Sequence, residues 1–226
     1  MKRFFFILPA LLFALPLFSQ PQGPQGKNPP PHLDGGAVEV LDTISKKYKN
    51  YTTIKIDYTY KSEKDGKTLE SLKGNMMLKG DKYYLSFDKQ EYYCNGTTIW
   101  NYQKEINEIS IFEYEEDNDL FLNPAKLLND WKKKFRAKFI REEIEKEKKI
   151  VLIDITPIKQ DSFYKIRIFV DKAKNDIIKF TVYEKDKDNT TYTYIFDKFI
   201  VNTEIDDKKF ELNTSSYPNA EINDMR

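Results

Sequence analysis

The sequence contains very few of the residues that carry most catalytic chemistry. Its 226 residues include one histidine, one cysteine and eight glycines. A single histidine and a single cysteine exclude zinc sites built from these residues, Cys–His nucleophilic dyads and any disulfide within the chain. All the glycines precede residue 97, and none has the spacing of a phosphate-binding loop. These absences favour a binding protein over an enzyme, and neither a metal nor a cofactor is expected.

An excess of charge of either sign is also absent. The chain has 37 basic and 36 acidic residues, which gives a net charge of +1. Such a balance argues against an electrostatic grip on nucleic acid. Aromatic side chains are abundant instead, with 15 Tyr and 16 Phe. A secreted enzyme that uses two carboxylates stays an alternative, although no pair stands out among the scattered acidic residues.

Only one long apolar run is present, at residues 4–18, directly after Lys2 and Arg3. The run is too short to span the bilayer core of about 30 Å as a helix. A basic start, an apolar run and a small residue at Ser19 are typical of a secretory signal peptide. We therefore predict a signal peptide at residues 1–19 and export to the periplasm, with a retained membrane anchor as the alternative.

Residues 20–36 separate this leader from the folded domain. They hold five prolines and four glycines, a composition typical of an extended or disordered spacer. The folded domain is expected over residues 37–226. Its first element is predicted to be a helix, because one apolar stripe recurs at spacings of 4, 3 and 4 residues: Ala37, Leu41, Ile44 and Tyr48.

From residue 51 onward, apolar residues alternate with polar ones, as in strands with one apolar face. The first such strand includes Ile54, Ile56, Tyr58 and Tyr60, and Asp65-Gly66 predicts a hairpin turn after it. Further strands are predicted at residues 74–79, 82–87, 91–94, 98–102, 108–112, 149–156, 164–171, 177–184 and 191–200. The pattern therefore predicts about ten strands in one antiparallel meander.

A second helix is predicted in the middle of the chain. Asn123-Pro124 has the residues of a helix cap and first turn, and an apolar stripe follows at Leu127, Leu128, Trp131 and Phe135. Two amphipathic helices beside many strands suggest that the helices cover the apolar face of a curled sheet.

The inner face of such a sheet is expected to carry the large apolar side chains of the alternating strands. These side chains either line a ligand cavity or fill a core, and the periodicity does not separate the two. The candidates are Ile54, Ile56, Tyr58, Leu78, Tyr83, Leu85, Trp100, Tyr102, Ile166, Ile168, Phe180, Val182 and Tyr194.

Several motifs occur in an order that resembles one known family. They are residues 73–79, the turn and strand at residues 95–102, the helix start at residues 123–128, and the ending Asp224-Met225-Arg226. Over residues 37–226 this order is similar to that of LolA, the family of periplasmic carriers of outer-membrane lipoproteins.

The resemblance implies a mainly β fold, an incomplete antiparallel β-barrel covered by helices. It also implies a hydrophobic cavity that shelters lipoprotein acyl chains, with Leu127, Leu128 and Trp131 of the covering helix facing the strand residues named above. The partners it implies are acylated lipoproteins or another lipid, an inner-membrane releasing complex and an outer-membrane receptor. No nucleic acid is implied, and a monomer is expected.

One position departs from the family pattern. Family members carry an arginine near the end of the strand matched by residues 76–79, and it helps to close the cover. The matching position here is Gly80, with Lys79 before it, and lysine lacks the planar fork of arginine. The alternative function is an envelope sensor, or another lipid-binding protein of the same fold, without a transport role.

Overall fold

Strands make up most of the part of the chain that can be described. The computed structural model describes residues 34–114, 128, 131–159, 161–186 and 188–226. The predicted signal peptide, the spacer up to residue 33, the Asn123-Pro124 helix start and Leu127 lie outside the described residues.

The elements follow the chain in this order: α1 (Gly35–Lys49), β1 (Ile54–Lys64), β2 (Lys67–Lys79), β3 (Lys82–Phe87), β4 (Gln90–Cys94), β5 (Thr98–Gln103), β6 (Glu108–Glu113), α2 (Trp131–Lys134), β7 (Phe135–Glu145), β8 (Lys148–Pro157), β9 (Phe163–Asp171), β10 (Asp176–Glu184), β11 (Thr191–Val201) and β12 (Glu221–Asp224). Two 3₁₀ turns, Asp207–Phe210 and Thr214–Ser216, precede β12. None of the described helices is both long and apolar enough to cross a membrane.

All twelve strands belong to one open sheet, in the order β12-β6-β5-β4-β3-β2-β1-β11-β10-β9-β8-β7. Each neighbouring pair is antiparallel except β12 and β6, which are parallel. The predicted fold class, a mainly β incomplete antiparallel barrel with covering helices, is therefore confirmed. The sheet contains two strands beyond the ten that alternation revealed, and these are the edge strands β7 and β12.

Helix α1 begins at the predicted apolar stripe and is tied to the sheet at its start. Asp34 is the N-cap, and its Oδ1 accepts from the Gly36 backbone N–H at 3.0 Å. The other oxygen, Oδ2, accepts from the Phe139 backbone N–H of β7 at 3.2 Å. The stripe predicted for this helix, Ala37, Leu41, Ile44 and Tyr48, is the set that the helix buries.

The second helix differs from the prediction at its end. Trp131 is helical, but Phe135 is the first residue of strand β7, so placing Phe135 on the helical stripe was wrong. Phe135 lies four residues after Trp131, as a helical stripe requires, but it also alternates with Ala137 and Phe139. The three side chains share one strand face, and burial of that face against the sheet core decides between the two periods.

The segment after β11 packs on the other face of the sheet. Leu212, Tyr217 and Ala220 contact the apolar side chains of β5 and β6. Phe210 is fully buried, and Lys79 and Lys82 bind Asp207 at 2.7 and 2.8 Å. The chain then adds β12 beside β6 as an edge strand.

Candidate functional site

One face of the sheet packs against α1 and α2, and we call it the helix-covered face. Most residues predicted for the cavity are brought together on it and are buried in one apolar cluster. These are Ile54, Ile56, Tyr58, Leu78, Tyr83, Leu85, Leu128, Trp131, Ile166, Ile168, Phe180 and Val182. Tyr194 is half-buried and packs against the same cluster. The alternation of β1, β2, β3, β9 and β10 therefore identified the correct face of each strand.

Trp100 and Tyr102 lie on the opposite face of the sheet. The prediction that they belong to the inner face with the other candidates was therefore wrong. In β5, Trp100 is paired with Tyr93, and Ile99 is paired with Cys94. Cys94 is buried in the helix-covered cluster, while Tyr93 packs against the second cluster, together with Trp100 and Tyr102. Strand β5 carries apolar side chains on both faces, so alternation alone did not show which face points inward.

A set of half-buried rings, the aromatic rim, borders the buried cluster. Its members are Tyr60, Phe87, Tyr192, Tyr194, Phe196 and Phe199. Tyr194 stacks on Phe180 with ring centroids 4.7 Å apart, and Tyr60 stacks on Tyr192 at 6.0 Å. These rings combine large apolar area with partial access from solvent, a combination suited to an apolar ligand.

A β-bulge explains why Phe199 of the aromatic rim was missed. Phe196 and Phe199 are three residues apart, which strict alternation places on opposite faces. In the structure Ile56 pairs with Phe199 and Tyr58 with Phe196, because the register shifts between Asp57 and Tyr58. The extra residue in β11 brings both phenylalanines to the helix-covered face. Phe196 is in phase with the predicted Tyr194, so alternation could have found it, whereas Phe199 is out of phase with both.

Gly74 of β2 lies directly beneath the ring of Tyr58. A Cβ at Gly74 would lie 2.5 Å from the Tyr58 hydroxyl and from the Ser86 carbonyl oxygen. The Tyr58 hydroxyl donates to the same carbonyl at 3.3 Å. The absence of a side chain at Gly74 therefore lets the tyrosine lie flat against the sheet in the middle of the helix-covered face.

Leu128 and helix α2 together form the covering segment, which we call the cover, and a few polar contacts hold it to α1. Asp42 accepts from the Trp131 indole at 3.2 Å and from the Lys132 ammonium at 2.6 Å. The Ser45 hydroxyl donates to the Leu128 carbonyl at 3.0 Å. Leu128 and Trp131 are 1% and 3% exposed, so the apolar side of this segment is packed into the cluster.

At the end of the sheet near the β1–β2 hairpin, the helix-covered face carries two carboxylates. Burial raises the pKa of Glu70, and the charge of Asp88 raises it further. Burial also raises the pKa of Glu184, although the Tyr192 hydroxyl donates to that carboxylate at 3.3 Å and opposes the rise. Both carboxylates are near enough to raise the pKa of Tyr60, after burial itself. This end of the face is polar and anionic.

The position that matches the family arginine is part of a turn. Gly80 has φ +59, a conformation that favours glycine. Lys79 donates to the Ile205 carbonyl at 3.2 Å and, with Lys82, holds the pKa of Asp207 down at about 2. Lys79 is therefore bound to the C-terminal segment on the other side of the sheet from the cover.

In a comparison with protein families, residues 49–213 match the family described as outer membrane lipoprotein carrier protein LolA. No curated protein matches the sequence. Among solved structures, a DUF1329 family protein from Desulfovibrio piger is 11% identical, with 80% of this chain and 98% of that one covered and a TM-score of 0.48.

Two further solved structures are similar to the chain. A putative outer membrane lipoprotein-sorting protein domain from Vibrio parahaemolyticus is 10% identical, with 80% of this chain and 98% of that one covered and a TM-score of 0.46. A LolA superfamily protein from Nitrosomonas europaea is 10% identical, with 78% and 98% covered and a TM-score of 0.44.

Proposed function

Because the chain belongs to the LolA family of outer membrane lipoprotein carrier proteins, we propose that it carries acylated lipoproteins through the periplasm towards the outer membrane. The observation that supports this most directly is the helix-covered face with its aromatic rim. The acyl chains would lie on this face, between the sheet and the cover. The protein would act as a monomer and without covalent chemistry.

The energetics of the cargo favour such a surface. Each methylene group moved out of water contributes about 0.8 kcal/mol, so a long acyl chain needs a large apolar surface. The rings of the rim are only half-buried, so they would move aside for an acyl chain at a lower cost than the fully buried strand residues beneath them. Tyr192, Tyr194 and Phe196 on β11 would then flank the chains.

Loading and unloading require the cover to open. The polar contacts of Asp42 and Ser45 with the covering segment contribute about 1 kcal/mol each in net terms. Separation of the segment from α1 would expose Leu128 and Trp131, which are the apolar side chains nearest to these contacts. An inner-membrane releasing complex and an outer-membrane receptor, as in other carriers of the family, would shift this equilibrium.

The experiment is a transfer assay between vesicles with a peptide whose N-terminal cysteine is triacylated. The protein should extract the peptide from donor vesicles and deliver it to acceptor vesicles. Phe196→Asp, which puts a carboxylate into the aromatic rim, should lower extraction at least tenfold. Lys198→Asp is the matched control, because Lys198 is exposed on the same strand, and it should extract normally.

Binding of the peptide without delivery would contradict the carrier role and favour an envelope sensor of the same fold. Failure to bind any acylated peptide would contradict both. Mass spectrometry of lipid that copurifies with the native protein would identify the cargo.

A further inference from the structure

The helix-covered face changes from apolar to polar along its width. One row of paired residues crosses six strands, from Ile56 of β1 to Ser110 of β6: Ile56, Met76, Leu85, Tyr92, Asn101 and Ser110. The first four side chains belong to the apolar cluster. The last two carry an amide and a hydroxyl, and they are only 5% and 4% exposed.

The next row along the strands changes in the same way. It runs from Phe87 of β3 through Gln90 and Gln103 to Glu108. Strands β4, β5 and β6 therefore place two rows of polar side chains side by side, next to the apolar cluster of the same face. Such a patch inside a buried surface needs hydrogen-bond partners for every polar atom.

Several atoms of this patch have partners within it. The Tyr92 hydroxyl donates to Gln90 Oε1 at 2.9 Å, and the side chain of Asn101 is hydrogen-bonded to Tyr92. The Ser110 hydroxyl donates to Glu108 Oε1 at 3.2 Å. Asn101 Oδ1, in contrast, is buried and has no hydrogen-bond partner among the described residues. An unsatisfied buried acceptor destabilises the fold, because its lost hydration is not replaced by a hydrogen bond.

We propose that Asn101 Oδ1 accepts a hydrogen bond from the head of the bound acyl ligand, a neutral group with a hydroxyl or amide N–H beside the acyl chain. This inference rests on the proposed function, since the acyl chain itself occupies the apolar part of the face. Asn101 lies four strands from Ile56, a distance of about 19 Å. One acyl chain spans half of a bilayer core of about 30 Å, so a chain that starts at Asn101 ends near β1 and β2.

The experiment compares three ligands with the same lauroyl chain: a monoacylglycerol, an N-acylglycinamide and a methyl ester. Only the first two carry a donor. The full chain should bind them about threefold to tenfold more tightly than the methyl ester, the ratio expected for one net hydrogen bond. Asn101→Leu, which has a similar size and no polar atom, should bind all three equally.

Two further variants make the result specific. Thr98→Val removes a hydroxyl from the other face of the same strand and should keep the preference for donors. Asn101→Ala serves as a second test of the same atom if the leucine variant does not fold. A preference limited to the N-acylglycinamide identifies an acylated peptide as the source of the head, and one limited to the monoacylglycerol identifies a free lipid.

The proposal is overturned if the full chain binds donors and methyl ester alike, or if the preference survives in both Asn101 variants. The proposed function then still stands, because acyl binding is retained. If none of the three ligands binds, the proposed function fails as well.

Discussion

At the scale of single residues, the contact between Tyr58 and Gly74 fixes the middle of the helix-covered face. A methyl group at Gly74 would overlap the Tyr58 hydroxyl and the Ser86 carbonyl, both 2.5 Å away. Gly74→Ala should therefore displace the ring and destabilise the fold by about 1–3 kcal/mol in urea unfolding. Gly35→Ala is the control, because nothing lies within 4 Å of its added Cβ. Equal unfolding midpoints for the two variants would show that the ring is not held against Gly74.

Glu70 makes the stability of the protein depend on pH. Burial raises its pKa, so the folded chain binds this proton more tightly than the unfolded chain. The free-energy cost of burying the charged Glu70 carboxylate is absent below its ordinary pKa of 4.5. This cost grows as the pH rises through the raised pKa of the folded protein. Glu70→Gln should therefore raise the melting temperature at about pH 7 and have less effect at about pH 4.

Thermal melting at the two pH values measures this difference directly. Glu221→Gln is the control, because Glu221 is exposed on the edge strand β12. A shift of the melting temperature by Glu70→Gln that is the same at both pH values would contradict the burial of that carboxylate.

Which residues of the site can be predicted depends on how regular their strand is. In β1, β9 and β10 one face is clearly more apolar, and the predicted residues lie where alternation places them. Alternation fails at β5, which has apolar residues on both faces, and at Phe199, where an extra residue in β11 changes the phase. A bulge is set by pairing with a distant strand, so the local sequence does not reveal it.

At the scale of elements, the contact between α1 and the covering segment depends on Asp42. This carboxylate accepts from the Trp131 indole and from Lys132. Asp42→Ala should leave the buried indole N–H without its acceptor and destabilise the closed cover by about 1–3 kcal/mol.

Tryptophan fluorescence in a Trp100→Phe background reports on Trp131 alone, since the chain has two tryptophans. The emission of the Asp42→Ala variant should shift to longer wavelength as the indole reaches solvent. Asp57→Ala, at an exposed position on β1, should leave the emission unchanged. An unshifted spectrum for Asp42→Ala would show that this carboxylate does not hold the cover.

The two edge strands were the elements that the sequence pattern did not reveal. Strand β7 follows directly on a helical turn, and its later residues Ile140 and Ile144 have a helical spacing among charged side chains. Strand β12 pairs with β6, more than one hundred residues earlier, and has only four residues. Edge strands pair on one side only, so their sequences carry weaker constraints than those of central strands.

At the scale of the whole molecule, β1 joins two halves of one sheet. It pairs with β2 on one side and with β11 on the other. Strands β2–β6 and β7–β11 each continue outward from it. The hairpins between strands that follow each other in the sequence were predictable from their turns. One example is Asp65-Gly66 between β1 and β2, where both residues have positive φ. The pairing of β1 with β11 joins strands that are far apart in the sequence. No local turn signal predicts it, because it depends on burial of the apolar face of the whole sheet.

Acyl-chain binding on the helix-covered face underlies the proposed carrier role. The most direct test is photo-crosslinking with a fatty acid that carries a diazirine near the end of its chain, followed by mapping of the labelled residues by mass spectrometry. We expect saturable labelling of rim residues such as Tyr194, Phe196 and Phe199, and excess unlabelled fatty acid should remove it. Labelling concentrated on Trp100, Tyr102 and Tyr217 of the opposite face, or labelling that competitor does not reduce, would contradict it.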